Sequence, residues 1–123
     1  MIIVYLNIDN REKAKVITCN DYKEINNLLG SRCFDVVRAK IGEFIYDIYC
    51  DDEGALKEHC KPSAFNKDGK AILFGNLIFS KTDSNGDSLD LTIEEIGNLS
   101  DYFYKYFDLE YGFYTIIYGV EYG

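Results

Sequence analysis

Residues 34–50 read FDVVRAKIGEFIYDIYC, and this stretch decides the fold class. Its first half alternates, so that Phe34, Val36 and Arg38 share one side of an extended chain. Gly42 interrupts the run, and a second run rich in aromatic and β-branched residues follows it. Two runs of this kind joined through a glycine predict a β-hairpin that ends and restarts near Gly42.

Apolar or alternating runs predict four further strands outside this hairpin. They lie at Ile2–Ile8, Val16–Cys19, Ile72–Ser80 and Phe113–Tyr122. Within the third, Gly75 and Asn76 predict a bulge or a close backbone approach. Residues 55–66 surround the only proline and are predicted to be irregular or briefly helical.

Two helices are predicted from their capping signals. The first opens at Asp21, with an acid three residues later, and stops at Gly30. The second opens on a capping box formed by Thr92 and Glu95 and runs to about Tyr106. The order of elements predicts an α+β fold: one compact domain over residues 1–123, with two helices on one face of an antiparallel or mixed sheet of about six strands.

The composition is that of a folded globular protein. The chain has 123 residues, 47% of them apolar and 15% aromatic, with one proline and ten glycines. No apolar run approaches the roughly 20 residues that a membrane span needs, and the first residues lack the basic flank and cleavage site of a secretion signal. We therefore expect a cytoplasmic protein whose four cysteines are free, mostly buried thiols.

The charge is concentrated in the last third of the chain. Residues 1–50 carry seven acids and seven bases, residues 51–82 carry five of each, and residues 83–123 carry nine acids against Lys105 alone. The net charge is therefore 0 + 0 − 8 = −8. The same third holds seven of the eleven tyrosines. An acidic field repels phosphate backbones and attracts basic surfaces, so we expect no direct nucleic-acid binding.

The acidic, tyrosine-rich third predicts a surface for a protein partner with a basic face, or for a second copy in a homodimer. In this hypothesis Phe103, Phe107 and Phe113 belong to the core, and three acids share an exposed face of the second helix. The candidate partner-binding residues are Glu94, Asp101, Tyr102, Tyr104, Asp108 and Tyr111. The alternative reading is a solvated face that only promotes solubility.

The turn and cap residues of the middle of the chain resemble a known family. They are Asp51–Leu56, Pro62–Ala64, Ile72, Gly75, Asn76, Ile78, Gly86, Asp87, Leu91, Thr92, Glu94 and Glu95. Over residues 34–98 this pattern resembles an uncharacterised bacterial family found in phages, plasmids and conjugative elements, chiefly of Firmicutes. The chain departs from it at Asp51, Asp52 and Ala55 and in its aromatic C-terminal tail. The resemblance implies an accessory protein of a mobile element and leaves the activity open.

A calcium site is the sharpest local chemical pattern. Asp83, Asn85, Asp87 and Glu94 occupy positions 1, 3, 5 and 12 of a loop like that of an EF-hand. However, Ser88 stands where the sharp turn requires glycine, an acid stands at the hydrophobic eighth position, and a strand precedes the loop. An Asn-Gly hairpin turn followed by a capped helix is therefore the preferred interpretation.

Other chemical sites have weaker support. His59 and Cys60 follow Cys50 and Asp51 without the Cys-x-x-Cys spacing typical of zinc sites, and the acids at residues 51–53 are typical of a solvated turn. No phosphate-binding glycine motif occurs, so no catalytic residue, metal or cofactor is predicted. The alternative function is the binding of a small molecule or nucleotide by three arginines of the first half. They are Arg11, Arg32 and Arg38.

Overall fold

A computed structural model describes residues 1–9, 14–54 and 61–122. These residues form eleven strands and two helices. The strands are β1 (Ile2–Leu6), β2 (Lys15–Thr18), β3 (Phe34–Ile41), β4 (Phe44–Asp51), β5 (Pro62–Phe65), β6 (Ala71–Phe74), β7 (Leu77–Thr82), β8 (Ser88–Leu89), β9 (Phe103–Asp108), β10 (Gly112–Ile117) and β11 (Val120–Tyr122). The helices are α1 (Tyr22–Leu29) and α2 (Ile93–Ser100).

The strands form two sheets. The larger has the order β11-β3-β4-β7-β1-β2, with β8 paired to β7, and its neighbours are antiparallel. The smaller has the order β6-β5-β10-β9, in which β10 and β5 run parallel. The α+β class and the mixed pairing are confirmed, while the strands divide between two sheets instead of forming one sheet of about six.

The predicted hairpin over residues 34–50 is confirmed. Ile41 pairs with Phe44 across the turn, where Gly42 has a φ of 61°, in the left-handed region that favours glycine. The first helix is also confirmed, because the Asp21 side chain accepts a hydrogen bond from the Glu24 backbone and Gly30 ends the helix with a φ of 66°.

Two predicted strands are each divided by a glycine with positive φ. Gly75 separates β6 from β7, and Gly119 separates β10 from β11, both with a φ of 81°. At each point the chain passes from the smaller sheet to the larger one. The side chain of Asn76 fixes the first crossing, since it accepts from the Ile8 backbone at 3.0 Å and donates to the Tyr5 hydroxyl at 3.2 Å.

The second helix is shorter than predicted. It begins with the expected capping box of Thr92 and Glu95 but ends at Ser100, and the prediction that it continues to Tyr106 is wrong. The alternating aromatic sequence of Phe103–Asp108 instead pairs as β9 along the full length of β10. The prediction that residues 55–66 are irregular or briefly helical is wrong at residues 62–65, which form β5, and residues 55–60 lie outside those described.

The two helices cover opposite faces of the larger sheet. Ile25 and Leu29 of α1 pack on the outer face with Ile3 and Ile78. Leu99 of α2 belongs to the main core, which lies between the two sheets. The prediction that both helices share one face is therefore wrong, because the smaller sheet and α2 together cover the inner face. No helix in the described part of the chain is long and apolar enough to cross a membrane.

Candidate functional site: an aromatic hairpin at a sheet edge

The hairpin formed by β9 and β10 is closed by a short turn. Asp108 pairs with Gly112, and the three residues between them form the loop. The Asp108 carboxylate accepts hydrogen bonds from the backbone N–H groups of Glu110 at 2.8 Å and Tyr111 at 3.1 Å. Gly112 has a φ of 78°, as expected for a three-residue hairpin loop followed by a left-handed residue. The turn is thus held by its own sequence.

The tip of this hairpin exposes three large apolar side chains. Phe107 is 54% exposed, Phe113 66% and Leu109 96%. Phe107 and Phe113 lie directly opposite each other on the two strands, with ring centroids 4.8 Å apart. We call these three residues the aromatic tip. Exposed apolar residues are common singly, but a contiguous group is typical of an interaction site.

The outer edge of β9 is also available. β9 is the terminal strand of the smaller sheet, and within residues 1–9, 14–54 and 61–122 it pairs with β10 alone. An edge strand presents backbone N–H and C=O groups that can pair with another chain. Strand addition at such an edge is a recurring mode of protein recognition.

Two acidic side chains lie in the turn that carries the tip. Glu110 is exposed, and Asp108 is partly exposed while it holds the turn. Asp101, which is also exposed, precedes β9 and lies at the opposite end of the hairpin. Lys105, in the middle of β9, is the one base in residues 83–123. The tip therefore combines three exposed apolar side chains with two acids in its turn.

The six predicted partner-binding residues do not form one helix face. Glu94 and Asp101 lie seven positions apart at the two ends of α2, on the same side and about 10.5 Å apart along its axis. Tyr104 is exposed on β9, whereas Asp108 and Tyr111 belong to the hairpin turn. The prediction that Asp108 continues the helix face is wrong, because α2 ends before the strand that carries it.

Tyr102 is a structural residue. Its ring packs beside the turn at Gly42, where an added Cβ would lie 2.8 Å from the ring, and beside Gly119, where it would lie 3.1 Å away. Its backbone carbonyl accepts from the Tyr118 N–H at 2.9 Å. Tyr102 therefore fastens the start of β9 to the larger sheet and is poorly placed to contact a partner.

Tyr111 is half-buried beneath a cation. The Lys61 ammonium lies 5.0 Å from its ring centroid and also forms an ion pair with Asp9 at 2.9 Å. This contact packs the turn against the rest of the molecule. The predicted core positions Phe107 and Phe113 are wrong, because both lie at the exposed end of the hairpin.

The candidate arginines do not converge within the described residues. Arg32 precedes β3 and Arg38 is its fifth residue, so at least about 13 Å of strand separates them. Arg38 lies 3.4 Å from the Asp47 carboxylate, which also accepts from the Thr82 hydroxyl at 2.7 Å. Arg11 lies outside the described residues.

The loop considered for calcium is a hairpin turn between β7 and β8. The Asp83 carboxylate accepts from the backbone N–H groups of Asn85 and Asp87, each at 2.9 Å, so the turn itself uses this potential ligand. Gly86 adopts a φ of 83°. In the described part of the chain, no three His, Cys, Asp or Glu residues are grouped so that they could hold a metal ion.

Three of the four cysteines that the sequence predicts to be free, mostly buried thiols lie in the described part of the chain. Cys19 and Cys50 are buried, Cys33 is exposed, and none of these three is in a disulfide. Burial, reinforced by Asp35 and Asp51, raises the pKa of the Cys50 thiol to about 11. The reactive thiolate form is therefore disfavoured there. His59 and Cys60 lie outside the described residues.

Comparison with known proteins gives one match. Residues 3–104 match the family described as Domain of unknown function (DUF3846). No curated protein and no solved structure matches the chain. The matched span ends at Tyr104, the second residue of β9, so the aromatic tip lies outside it.

Proposed function

The chain belongs to the family described as Domain of unknown function (DUF3846), and we propose that this member is a non-enzymatic protein that binds a partner protein through its aromatic tip. The observation that carries the proposal is the exposure of Phe107, Leu109 and Phe113 at one end of the hairpin, where the two phenylalanine rings lie 4.8 Å apart. The edge strand β9 would extend the contact by backbone pairing.

The exposed area is large enough to anchor an interface. Two phenylalanine rings of roughly 200 Å² each, more than half exposed, offer about 240 Å² before the contribution of Leu109. At about 25 cal/mol per Å² their burial is worth roughly 6 kcal/mol before the costs of association. Such a cluster is typical of the centre of an interface, where a few large side chains supply most of the binding energy.

The charge supports a different protein as the partner over a second copy. Each copy carries a net charge of −8, and two of its acids, Asp108 and Glu110, lie in the turn at the tip. Two such surfaces repel each other, whereas a basic rim on a partner is attracted and steered toward the tip. Association with the partner is therefore expected to slow as ionic strength rises.

We also propose, on the resemblance of residues 34–98, that the chain is a cytoplasmic accessory protein of a phage, plasmid or conjugative element. Its partner would then be a host defence or nucleic-acid-handling protein. Proteins that hold phosphate backbones expose basic surfaces, and an acidic surface competes for them. Addition of DNA is expected to displace the chain from a captured partner if this part of the proposal is correct.

The test compares two single substitutions of equally exposed aliphatic residues. Leu109→Asp places a charge in the aromatic tip, whereas Ile93→Asp does so at the start of α2, where Ile93 is 88% exposed. Quantitative capture from host lysate is measured for the wild type and both variants. We expect one partner to be retained by Ile93→Asp and lost by Leu109→Asp, with Phe107→Ser repeating the loss.

Three outcomes would contradict the proposal. Leu109→Asp could capture every protein that the wild type captures. Loss of a partner in Arg32→Glu/Arg38→Glu, with retention in Leu109→Asp, would place the function in the first half of the chain. Sedimentation showing a wild-type dimer that Leu109→Asp converts to a monomer would assign the tip to a second copy instead.

A further inference from the structure

A cleft separates the inner face of the β9–β10 hairpin from the larger sheet. It encloses about 190 Å³. Val4 and Val16, which are paired across β1 and β2, line one side, and Lys105 and Thr115, which are paired across β9 and β10, line the other. Ile96 of α2 also lines it. The walls are thus mostly apolar and are built on regular elements.

The size of the cleft limits its occupant. An apolar cavity of about 150 Å³ holds one benzene molecule, so this volume accepts one aromatic ring or a short alkyl chain. A second recess of about 350 Å³ is lined by Phe113, Tyr111, Lys105 and Thr115. Lys105 and Thr115 therefore stand between the two spaces.

Lys105 gives the cleft its charge preference. Lys61, Lys67 and Lys81 each form an ion pair at 2.7–2.9 Å, whereas Lys105 forms none with the carboxylates of residues 1–9, 14–54 and 61–122. A cation without a counter-ion beside apolar walls favours an anion with an apolar body. The nine acids of the last third disfavour a ligand with several negative charges.

We propose that this cleft binds a small monocarboxylate that carries one aromatic ring or a short alkyl chain. The apolar body lies between Val4, Val16 and Ile96, and the carboxylate is held by the Lys105 ammonium and the Thr115 hydroxyl. This site is distinct from the aromatic tip, because Phe107, Leu109 and Phe113 are not among the residues that line the cleft.

The test uses 3-phenylpropionate and its neutral counterpart 3-phenylpropanol, titrated calorimetrically against the intact chain. We expect the acid to bind at least about tenfold more tightly than the alcohol, as for a charge-assisted hydrogen bond. Lys105→Met should remove this preference and leave the affinity for the alcohol unchanged. Lys23→Met, which removes an exposed lysine on α1, should change neither affinity.

A second variant tests the location. Ser100 lies at the end of α2 and lines the cleft from an exposed position, so Ser100→Tyr should fill the space and weaken both ligands. The proposal is overturned if the wild type binds neither compound at millimolar concentration, if acid and alcohol bind equally, or if Lys105→Met keeps the preference. It is also overturned if Ser100→Tyr, shown to be folded by circular dichroism, binds both as the wild type does.

Discussion

Asn98→Ala is expected to destabilise the protein by about 2–3 kcal/mol, because this side chain joins α2 to the β3–β4 hairpin. Its amide nitrogen donates to the Ile41 carbonyl at 2.7 Å and to the Tyr46 hydroxyl at 2.9 Å. Tyr46 is fully buried and donates its own proton to the Glu95 carbonyl at 2.7 Å. The substitution therefore removes these two hydrogen bonds, each worth about 0.5–1.5 kcal/mol, and leaves buried acceptors with one partner fewer. It also removes a longer hydrogen bond, which the Asn98 side-chain oxygen accepts from the Glu43 backbone N–H at 3.4 Å.

The measurement is urea unfolding at pH 7, with thermal unfolding as a second probe. For a chain of this length the loss corresponds to a fall in Tm of roughly 10 °C. Asn27→Ala is the matched control, because Asn27 is an exposed asparagine on α1. Both variants gain a few tenths of a kcal/mol of helix propensity, so their difference isolates the hydrogen bonds. Equal midpoints for Asn98→Ala and Asn27→Ala would refute the reasoning.

A double-mutant cycle sharpens this test. Burial raises the pKa of Tyr46 to about 12, so its hydroxyl remains a proton donor throughout the neutral range. Tyr46→Phe removes the hydroxyl and leaves the ring in place. If Asn98 and Tyr46 act as one network, the double variant should lose less stability than the sum of the single variants, by about 1 kcal/mol.

The remaining predictions concern three other elements. Gly42→Ala should lower the free energy of unfolding in urea by at least about 2 kcal/mol, because the new Cβ meets the Tyr102 ring and the φ is positive. Gly30 has a similar φ but open space around it, so Gly30→Ala should lower the free energy of unfolding by only about 1 kcal/mol. Burial would raise the pKa of the Glu95 carboxyl, but the hydrogen bonds from Lys81 and Thr92 together outweigh burial and lower the pKa. The stability that this interaction contributes is fully present above the unfolded pKa of about 4.5, and it is lost as the pH falls through the lower pKa of the folded state. At pH 7 the free energy of unfolding of Glu95→Gln should therefore lie about 2 kcal/mol below that of the wild type. This difference should close below pH 4.5. Millimolar calcium should leave Tm unchanged, because the turn itself uses the Asp83 carboxylate; a rise of several degrees that Asp83→Asn abolishes would contradict this.

The parts of the fold that the sequence predicts well are held by local signals. Asp21 and Gly30 cap α1 through their own backbone neighbours, and Thr92 caps α2 in the same way. The β3–β4 hairpin follows from alternation on both sides of Gly42. Each of these signals acts within a few residues, so it has the same effect whatever the rest of the chain does.

The division of the strands into two sheets depends on pairing between residues that are distant in sequence, so local sequence patterns do not predict it. Gly75 and Gly119 look like interruptions of single strands, because a positive φ does not reveal which sheet receives the next segment. The end of α2 likewise cannot be predicted from local sequence. After Ser100 the chain lacks a glycine stop, and only the pairing of β9 with the later β10 shows that the aromatic run is a strand.

The position of the candidate site depends on how the exposure of side chains increases along the hairpin toward its tip, which sequence periodicity does not predict. On the inner face of β10, Ile117 is 0% exposed, Thr115 6% and Phe113 66%. These residues alternate regularly, so a period of two assigns all three to the same buried face. Thr115 still lines the cleft opposite Val4 and Val16 of the larger sheet, and Phe113 does not. An aromatic residue nearer the tip continues the alternating pattern of the core but lies at the surface. For this reason Phe107 and Phe113 are misassigned from the sequence. For the same reason they are the residues best placed to meet a partner.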